Sequence, residues 1–340
     1  MNVSIKHRVL RFREPIVTSY GTLVERELLE LRIEDADGVW GTGEAAPLEP
    51  YDGVSLARVR AGLEACAQVL AEDEDLPSGD LLDACRAVAG VPQALAAVDM
   101  ALWDRAGRRA GRPVAELLSD SALQTVRVNA VIGAGDRAGA AAAAAAAAAE
   151  GFGCVKLKVG VGDDAGRVAA VRAAAGPDME LRVDANGAWT AQEAIAMIEA
   201  LSSSGLELVE EPVHGLAGLR EVRERVAVRI AMDETTTEPG ALASGAADAV
   251  CLKLGRCGGI SALLANATLV RASGADPYVA STFDGPLGIA AALHAVAALR
   301  IEPGCGLATL ELFEDVEHPL AVRNGEIAVP RGPGLLGDAA

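Results

Sequence analysis

Lysine is scarce in this chain of 340 residues: of thirty lysines and arginines only four are lysine, Lys6, Lys156, Lys158 and Lys253. With a formal charge of −18 and a pI near 4.7, the chain has no excess of the basic groups that nucleic acid or an anionic membrane surface recruits. No apolar run approaches the roughly 20 residues of a membrane span. The opening MNVSIKHRVLRFREP lacks the apolar centre of a signal peptide, so a cytoplasmic protein is expected. The six cysteines, Cys66, Cys85, Cys154, Cys251, Cys257 and Cys305, include no CxxC pair. That pattern predicts reduced core thiols rather than a disulfide frame or a zinc site. A GxGxxG run after a strand and a GxxxxGK[ST] loop are both missing, so no dinucleotide or P-loop site is signalled.

What is present is apolar sequence, 51% of the chain, enough for a barrel and a smaller domain. Residues 3–12, 26–33 and 38–45 alternate apolar and polar, as in an antiparallel meander. Polar loops are predicted at 17–22 and 47–53. Helical periodicity follows over 56–70, 80–88 and 92–111, where Leu95, Val98, Leu102 and Ala106 share a face. An α+β domain over residues 1–120 results. Beyond it, eight short β runs alternate with Ala-rich helices: 125–132, 154–159, 180–186, 207–212, 229–234, 249–254, 277–282 and 308–313. This rhythm predicts a βα barrel over 121–315, with a doubly wound open sheet as the alternative. Residues 316–340 read as a short hairpin segment returning to the first domain.

On the second run, CVKLKVG, strand alternation puts Lys156 and Lys158 on one face and Val155, Leu157 and Val159 on the other. Arginine stays protonated at working pH, whereas a crowded or desolvated lysine exchanges its proton. Asp184, Glu210 and Asp233 end the next three runs, and Lys253 ends the one after. In a barrel, strand ends share one mouth. Three carboxylates gathered there repel unless a cation sits among them, and an all-oxygen donor set suits Mg2+, with Mn2+ an alternative, over zinc. A lysine is a poor base at its ordinary pKa of about 10.4, and a neighbouring cation lowers it. Lys158 is therefore assigned as a base, with Lys156 as its charged neighbour and contact for a substrate carboxylate. Lys253 is the acid or base of the opposite wall. The predicted chemistry is removal of a proton beside a carboxylate, giving an enediolate. A Schiff-base aldolase and a noncatalytic small-molecule binder are the competing classes. His214 and His294 are read as packed or surface residues.

These motifs, with AVDMALWDRAGRRAGRPV in the first domain and then KLK, RVDANGAW, VEEP, AMDE and LKLGRCGGI in order, resemble the enolase superfamily in its muconate-lactonizing-enzyme subgroup. The resemblance implies a modified (β/α)7β TIM barrel under an N-terminal α+β capping domain. It implies Asp184, Glu210 and Asp233 as Mg2+ ligands, Lys158 and Lys253 as acid/base groups, and Asn186 and Glu234 as their supports. Specificity is expected from two cap loops carrying Tyr20, Thr22 and Tyr51, from Ser281, Thr282, Phe283 and Asp284 after the seventh run, and from Glu311 near the eighth. Where dipeptide epimerases of the subgroup carry Asp-x-Asp, this chain reads Glu311-Leu312-Phe313. An o-succinylbenzoate synthase-like dehydratase is the favoured activity, with dipeptide epimerase, N-acylamino acid racemase and muconate-type cycloisomerase as alternatives. The expected partner is a small carboxylate substrate, with a homo-oligomer and no nucleic acid or membrane.

Overall fold

The computed structural model describes every residue except 19, 73–75, 315 and 338–340. It opens on an antiparallel sheet in the order β1 (Asn2–Thr18), β2 (Gly21–Glu34) and β3 (Trp40–Ala45). The alternation that predicted a meander is the pleat itself, since Leu29, Leu31 and Ile33 point into the core. The first two strands run further than the alternation suggests and take residues 17, 18, 21 and 22 of the loop expected at 17–22, of which residue 19 lies outside the described residues. Pro15 lies on the edge strand, where a missing N–H is tolerated, and the pairing register shifts between Arg11 and Ile16. The helices α1 (Glu49–Asp52), α2 (Leu56–Glu72), α3 (Ser78–Ala89), α4 (Pro92–Ala110) and α5 (Val114–Leu118) follow.

Helix α4 joins two apolar cores. Its Ala97, Val98 and Ala101 pack with Leu31 and Leu63 of the cap, while Ala96 and Met100 pack into the barrel. Strand β3 lies directly on it because Gly41 and Gly43 lack side chains: a Cβ at those positions would stand 2.1 and 1.9 Å from the carbonyl oxygens of Ala101 and Ala97.

The second part comprises β4 (Thr125–Arg127), β5 (Ala130–Ile132), α6 (Arg137–Ala149), β6 (Cys154–Lys158), α7 (Asp164–Ala175), β7 (Glu180–Asp184), α8 (Ala191–Leu201), β8 (Leu206–Glu210), α9 (Leu216–Arg225) and β9 (Arg229–Met232). It continues with β10 (Ala249–Leu252), α10 (Leu254–Cys257), α11 (Ile260–Ala272), β11 (Asp276–Val279), α12 (Pro286–Leu299), β12 (Val322–Arg323) and β13 (Glu326–Ala328). Strands β5 to β11 form a parallel curled sheet in chain order. This is the capped barrel fold.

Two strand expectations need correction. The run at 125–132 divides, with β4 pairing antiparallel to β13 and only β5 joining β6. The eighth strand is not at 308–313, where Leu310–Leu312 form a single 3-10 turn. Parallel bridges Val128↔Cys305 and Ala280↔Gly306 close the ring instead. The apolar positions of TLELF serve the turn: Leu310 and Phe313 are buried, and Phe313 stacks on Phe12 of the cap at 4.6 Å. Among the described residues no helix is long and apolar enough to cross a membrane.

After the β12–β13 hairpin the tail meets α4, where Leu335 N donates to Asp104 Oδ1 at 2.7 Å. His294 of α12 links the same region. Its Nδ1 accepts from Ala115 N at 3.0 Å, so its proton is on Nε2, which donates to Leu335 O at 2.9 Å. Burial lowers its pKa from 6.5 to about 4. The folded state prefers neutral imidazole, so the stabilisation is complete above pH 6.5 and is lost as pH falls through about 4. The loss amounts to about 3 kcal/mol. Urea denaturation between pH 8 and pH 4 is expected to show a shallower pH dependence for His294→Gln than for the natural chain; equal slopes would refute the assignment.

Candidate active site

Parallel register sets the site. Lys158 of β6 pairs with Asp184 of β7, and Asp184 with Glu210 of β8, so the three form one row at adjacent strand ends. Glu210 pairs with Ala231, which places Asp233 two residues further toward the mouth. Lys253 follows β10, on the other side of the ring from β6.

Lys156 Nζ donates to Asp184 Oδ2 at 2.9 Å and to Glu210 Oε1 at 3.0 Å. Lys158 Nζ donates to Asp184 Oδ2 and to Asn186 Oδ1, both at 2.7 Å. Lys253 Nζ donates to both oxygens of Asp233 and, at 2.8 Å, to Tyr51 Oη of the cap. Tyr51 Oη in turn donates to Asp233 Oδ1 at 3.0 Å and accepts from Arg256 Nη1. Tyr278 Oη donates to Glu210 Oε2 at 2.8 Å. Asn186 Nδ2 donates to Glu234 Oε1 at 2.9 Å, joining both predicted supports to the cluster.

Two left-handed residues shape the rim. Asn186 has φ of 45° and its N–H bonds Asp184 Oδ1 at 3.0 Å. Glu211 has φ of 37°, and its buried carboxylate accepts from Asp233 N at 2.8 Å and Thr235 N at 3.1 Å. It therefore builds the turn that presents Asp233 and Glu234. His214, exposed, reaches Glu211 Oε1 at 3.1 Å.

Carboxylates dominate the electrostatics of the buried amines Lys156 and Lys253. Burial pulls Lys156 down, but Asp184 and Glu210 outweigh it and hold its pKa well above the ordinary value. Lys253 is raised in the same way, chiefly by Asp233 against burial. Burial raises Asp184 and Asp233, yet their lysine partners win and hold both low. Burial pushes the Glu210 carboxyl up to about 7, Lys156 opposing and Asp184 and Asp233 adding to it. The neighbouring acids thus decide the state of Lys156 and Lys253.

The donor set fits a hard divalent cation. Asp184 and Glu210 already share one positive charge, the Lys156 ammonium, and every donor they offer is oxygen. Just past the next strand, Asp233 lies with Glu210 and Cys251 in a group whose donor atoms are within 4.8 Å of one another, a group that does not include Asp184.

The predicted specificity residues separate. Tyr20 and Tyr51 approach with ring centroids 6.0 Å apart. Thr22 is exposed on β2. Ser281 and Thr309 hydroxyls meet at 2.9 Å, and Phe283, at φ of 58°, stands edge-on to Phe12. Asp284 turns into the seam between cap and barrel, buried and accepting from Thr282 Oγ1 at 3.0 Å. Beside it Glu44, its pKa pushed up to about 8 by burial and then by Asp284, accepts from Gly285 N at 2.7 Å. Glu311 is exposed on the 3-10 turn. Sequence reading missed Tyr278, Glu211, Cys251 and Arg256. Strand parity was the available signal for Cys251, two residues before Lys253.

Residues 139–336 match the family described as enolase C-terminal domain-like, and residues 1–119 match the mandelate racemase / muconate lactonizing enzyme N-terminal domain. The chain belongs to the mandelate racemase/muconate lactonizing enzyme family of the enolase superfamily. It is 31% identical to muconate cycloisomerase 1 of Rhodococcus opacus over 92% of this chain and 89% of that one. A stretch of 158 residues, 44% of this chain, is 44% identical to 48% of the o-succinylbenzoate synthase of Mycobacterium tuberculosis. The dipeptide epimerase of Enterococcus faecalis, solved with Mg and the dipeptide L-Leu-L-Tyr, superposes with a TM-score of 0.91 at 27% identity over 98% of each chain.

Proposed function

We propose that the chain removes a proton from the carbon beside a substrate carboxylate, with o-succinylbenzoate synthase-like dehydration as the overall reaction. The observation that carries this reading is the placement of Lys158 and Lys253 on separated walls of the ring, each against an acid of one cluster. Asp184, Glu210 and Asp233 would hold Mg2+. Bound there, Mg2+ supplies the charge that makes an enediolate accessible from a weakly acidic C–H. Lys158 takes the proton at Nζ, Asn186 and Asp184 orient that amine, and Lys156 faces the substrate carboxylate. In dehydration the C–O bond to the β-hydroxyl then breaks, and the hydroxyl departs as water with the proton that Lys158 Nζ has taken from the α-carbon. The 44% identity to an o-succinylbenzoate synthase and the Glu311-Leu312-Phe313 sequence support this outcome.

A second reading, epimerisation of a dipeptide or racemisation of an N-acylamino acid, is favoured by one observation. Inversion at carbon needs bases on both faces, and Lys253 stands across from Lys158. An aldolase is disfavoured, because a Schiff-base mechanism has no use for the carboxylates gathered on these amines.

The test is solvent deuterium incorporation at the α-carbon, surveyed over N-succinylamino acids, dipeptides and the synthase substrate. Exchange is expected with Mg2+ and is expected to vanish in chelator; exchange indifferent to chelator would overturn the proposal. Lys253→Ala separates the outcomes. Loss of exchange from one stereoisomer alone indicates epimerisation or racemisation, whereas slowing of a dehydration without stereochemical bias indicates the synthase.

A further inference from the structure

The floor of the barrel holds a thiol with no hydrogen-bond partner among the described residues. Cys251 lies on β10, two residues before Lys253 and on the same face of the strand, and is 1% exposed. The thiols of Cys66, Cys85, Cys154 and Cys305 each have an acceptor. Cys251 instead looks onto two carboxylates: one donor atom each from Glu210, Asp233 and Cys251 lie within 4.8 Å of one another.

We infer that Glu210, Asp233 and Cys251 form a site for a thiophilic divalent cation of the Zn2+ or Co2+ class, distinct in its donors from the oxygen set proposed for Mg2+. Hard Mg2+ has little use for sulfur, whereas borderline ions take a thiolate with carboxylates readily. Donors at about 2.0–2.3 Å from a tetrahedral ion stand roughly 3.5 Å apart, so side-chain shifts of about 1 Å complete the site. The ammoniums now on these acids belong to Lys156 and Lys253, whose flexible stems allow retreat. As the metal–sulfur bond forms, the thiol proton passes to solvent. Because Glu210 and Asp233 belong to both sets, occupation by a thiophilic ion excludes Mg2+ and blocks the reaction proposed above.

Two other clusters have comparable spacing, but their acids are held by an arginine clamp or by backbone N–H groups, not by the lysine ammoniums that hold Glu210 and Asp233. Glu207 of the Cys154–Glu180–Glu207 group is clamped by Arg182, Nε at 2.6 Å and Nη2 at 2.9 Å, and Arg182 is pinned to Gly304 O. Glu211 of the Glu211–His214–Glu234 group is saturated by Asp233 N, Thr235 N and the Thr235 hydroxyl.

The experiment titrates the whole chain, stripped by chelator, with Co2+. A sulfur-to-cobalt charge-transfer band is expected, bleached by excess Mg2+ because the carboxylates are shared. Cys154→Ser should keep the band; Cys251→Ser should lose it and bind Co2+ roughly tenfold more weakly or worse. No band in the natural chain, a band that survives Cys251→Ser, or one that disappears only in Cys154→Ser overturns the inference. Should Cys251→Ser fail to fold, X-ray absorption of the natural chain with Co2+ decides: one sulfur neighbour is expected, and a shell of oxygen and nitrogen alone refutes the site. Absence of Mg2+-dependent exchange with the band intact would count against the proposed reaction and leave this site standing.

Discussion

Replacing Lys158 with alanine is expected to leave a folded protein whose α-proton exchange is slower by roughly 10²–10⁴, the usual contribution of a positioned general base. Of the three site lysines it is the most exposed, its side chain 32% exposed against 12% for Lys156 and 9% for Lys253. Its departure does not strand Asp184, which keeps the Lys156 ammonium at 2.9 Å. Activity and stability should therefore separate in this variant. Hydrogen exchange by NMR in deuterated buffer, with urea melts alongside, measures both. Exchange close to the natural rate in a folded Lys158→Ala would assign the base elsewhere.

The cluster was legible because its members sit on strands, where period-two alternation fixes the face and the end of a strand fixes the depth. Lys156, Lys158, Asp184 and Glu210 follow from that rule alone. Lys253 and Asp233 lie just past their strands and still obey it. What the rule cannot reach is pairing across the chain. Tyr51 meets Lys253 from 202 residues away, through a one-turn helix of the cap with no periodicity to read.

The eighth strand failed for a different reason. T-L-E-L-F alternates as a strand should, but the same letters place Leu310 and Phe313 three apart, which suits one turn of helix equally well. Cys305 and Gly306, which do close the ring, include a glycine and carry no alternation. A Cβ on Gly306 would come 2.9 Å from that of Ala280, so the closure depends on a missing side chain. Glu311 therefore sits on that turn instead of on a strand. The state of Lys156 and Lys253 was also out of reach, because it depends on distances to carboxylates rather than on which residues are present.

Lys156→Met should show how far the acids depend on a cation. In chelator the variant is expected to be less stable than the natural chain by about 3–5 kcal/mol, the cost of leaving one member of a buried ion pair unpartnered. Methionine keeps the apolar volume of the stem, so little of that loss comes from packing. Asp184 retains Lys158, but Glu210, fully buried, keeps among the described residues only the Tyr278 hydroxyl at 2.8 Å and must take up a proton or bear an unpaired charge. Mg2+ acts oppositely in the two proteins. In the natural chain it competes with an ammonium already seated on Asp184 and Glu210; in the variant it replaces a charge that is gone. Urea melts with chelator and with saturating Mg2+ should thus give a larger Mg2+ increment for Lys156→Met than for the natural chain. Equal increments, or a variant as stable as the natural chain in chelator, would mean that Asp184 and Glu210 do not serve a common cation, and the proposed metal site would fall with them.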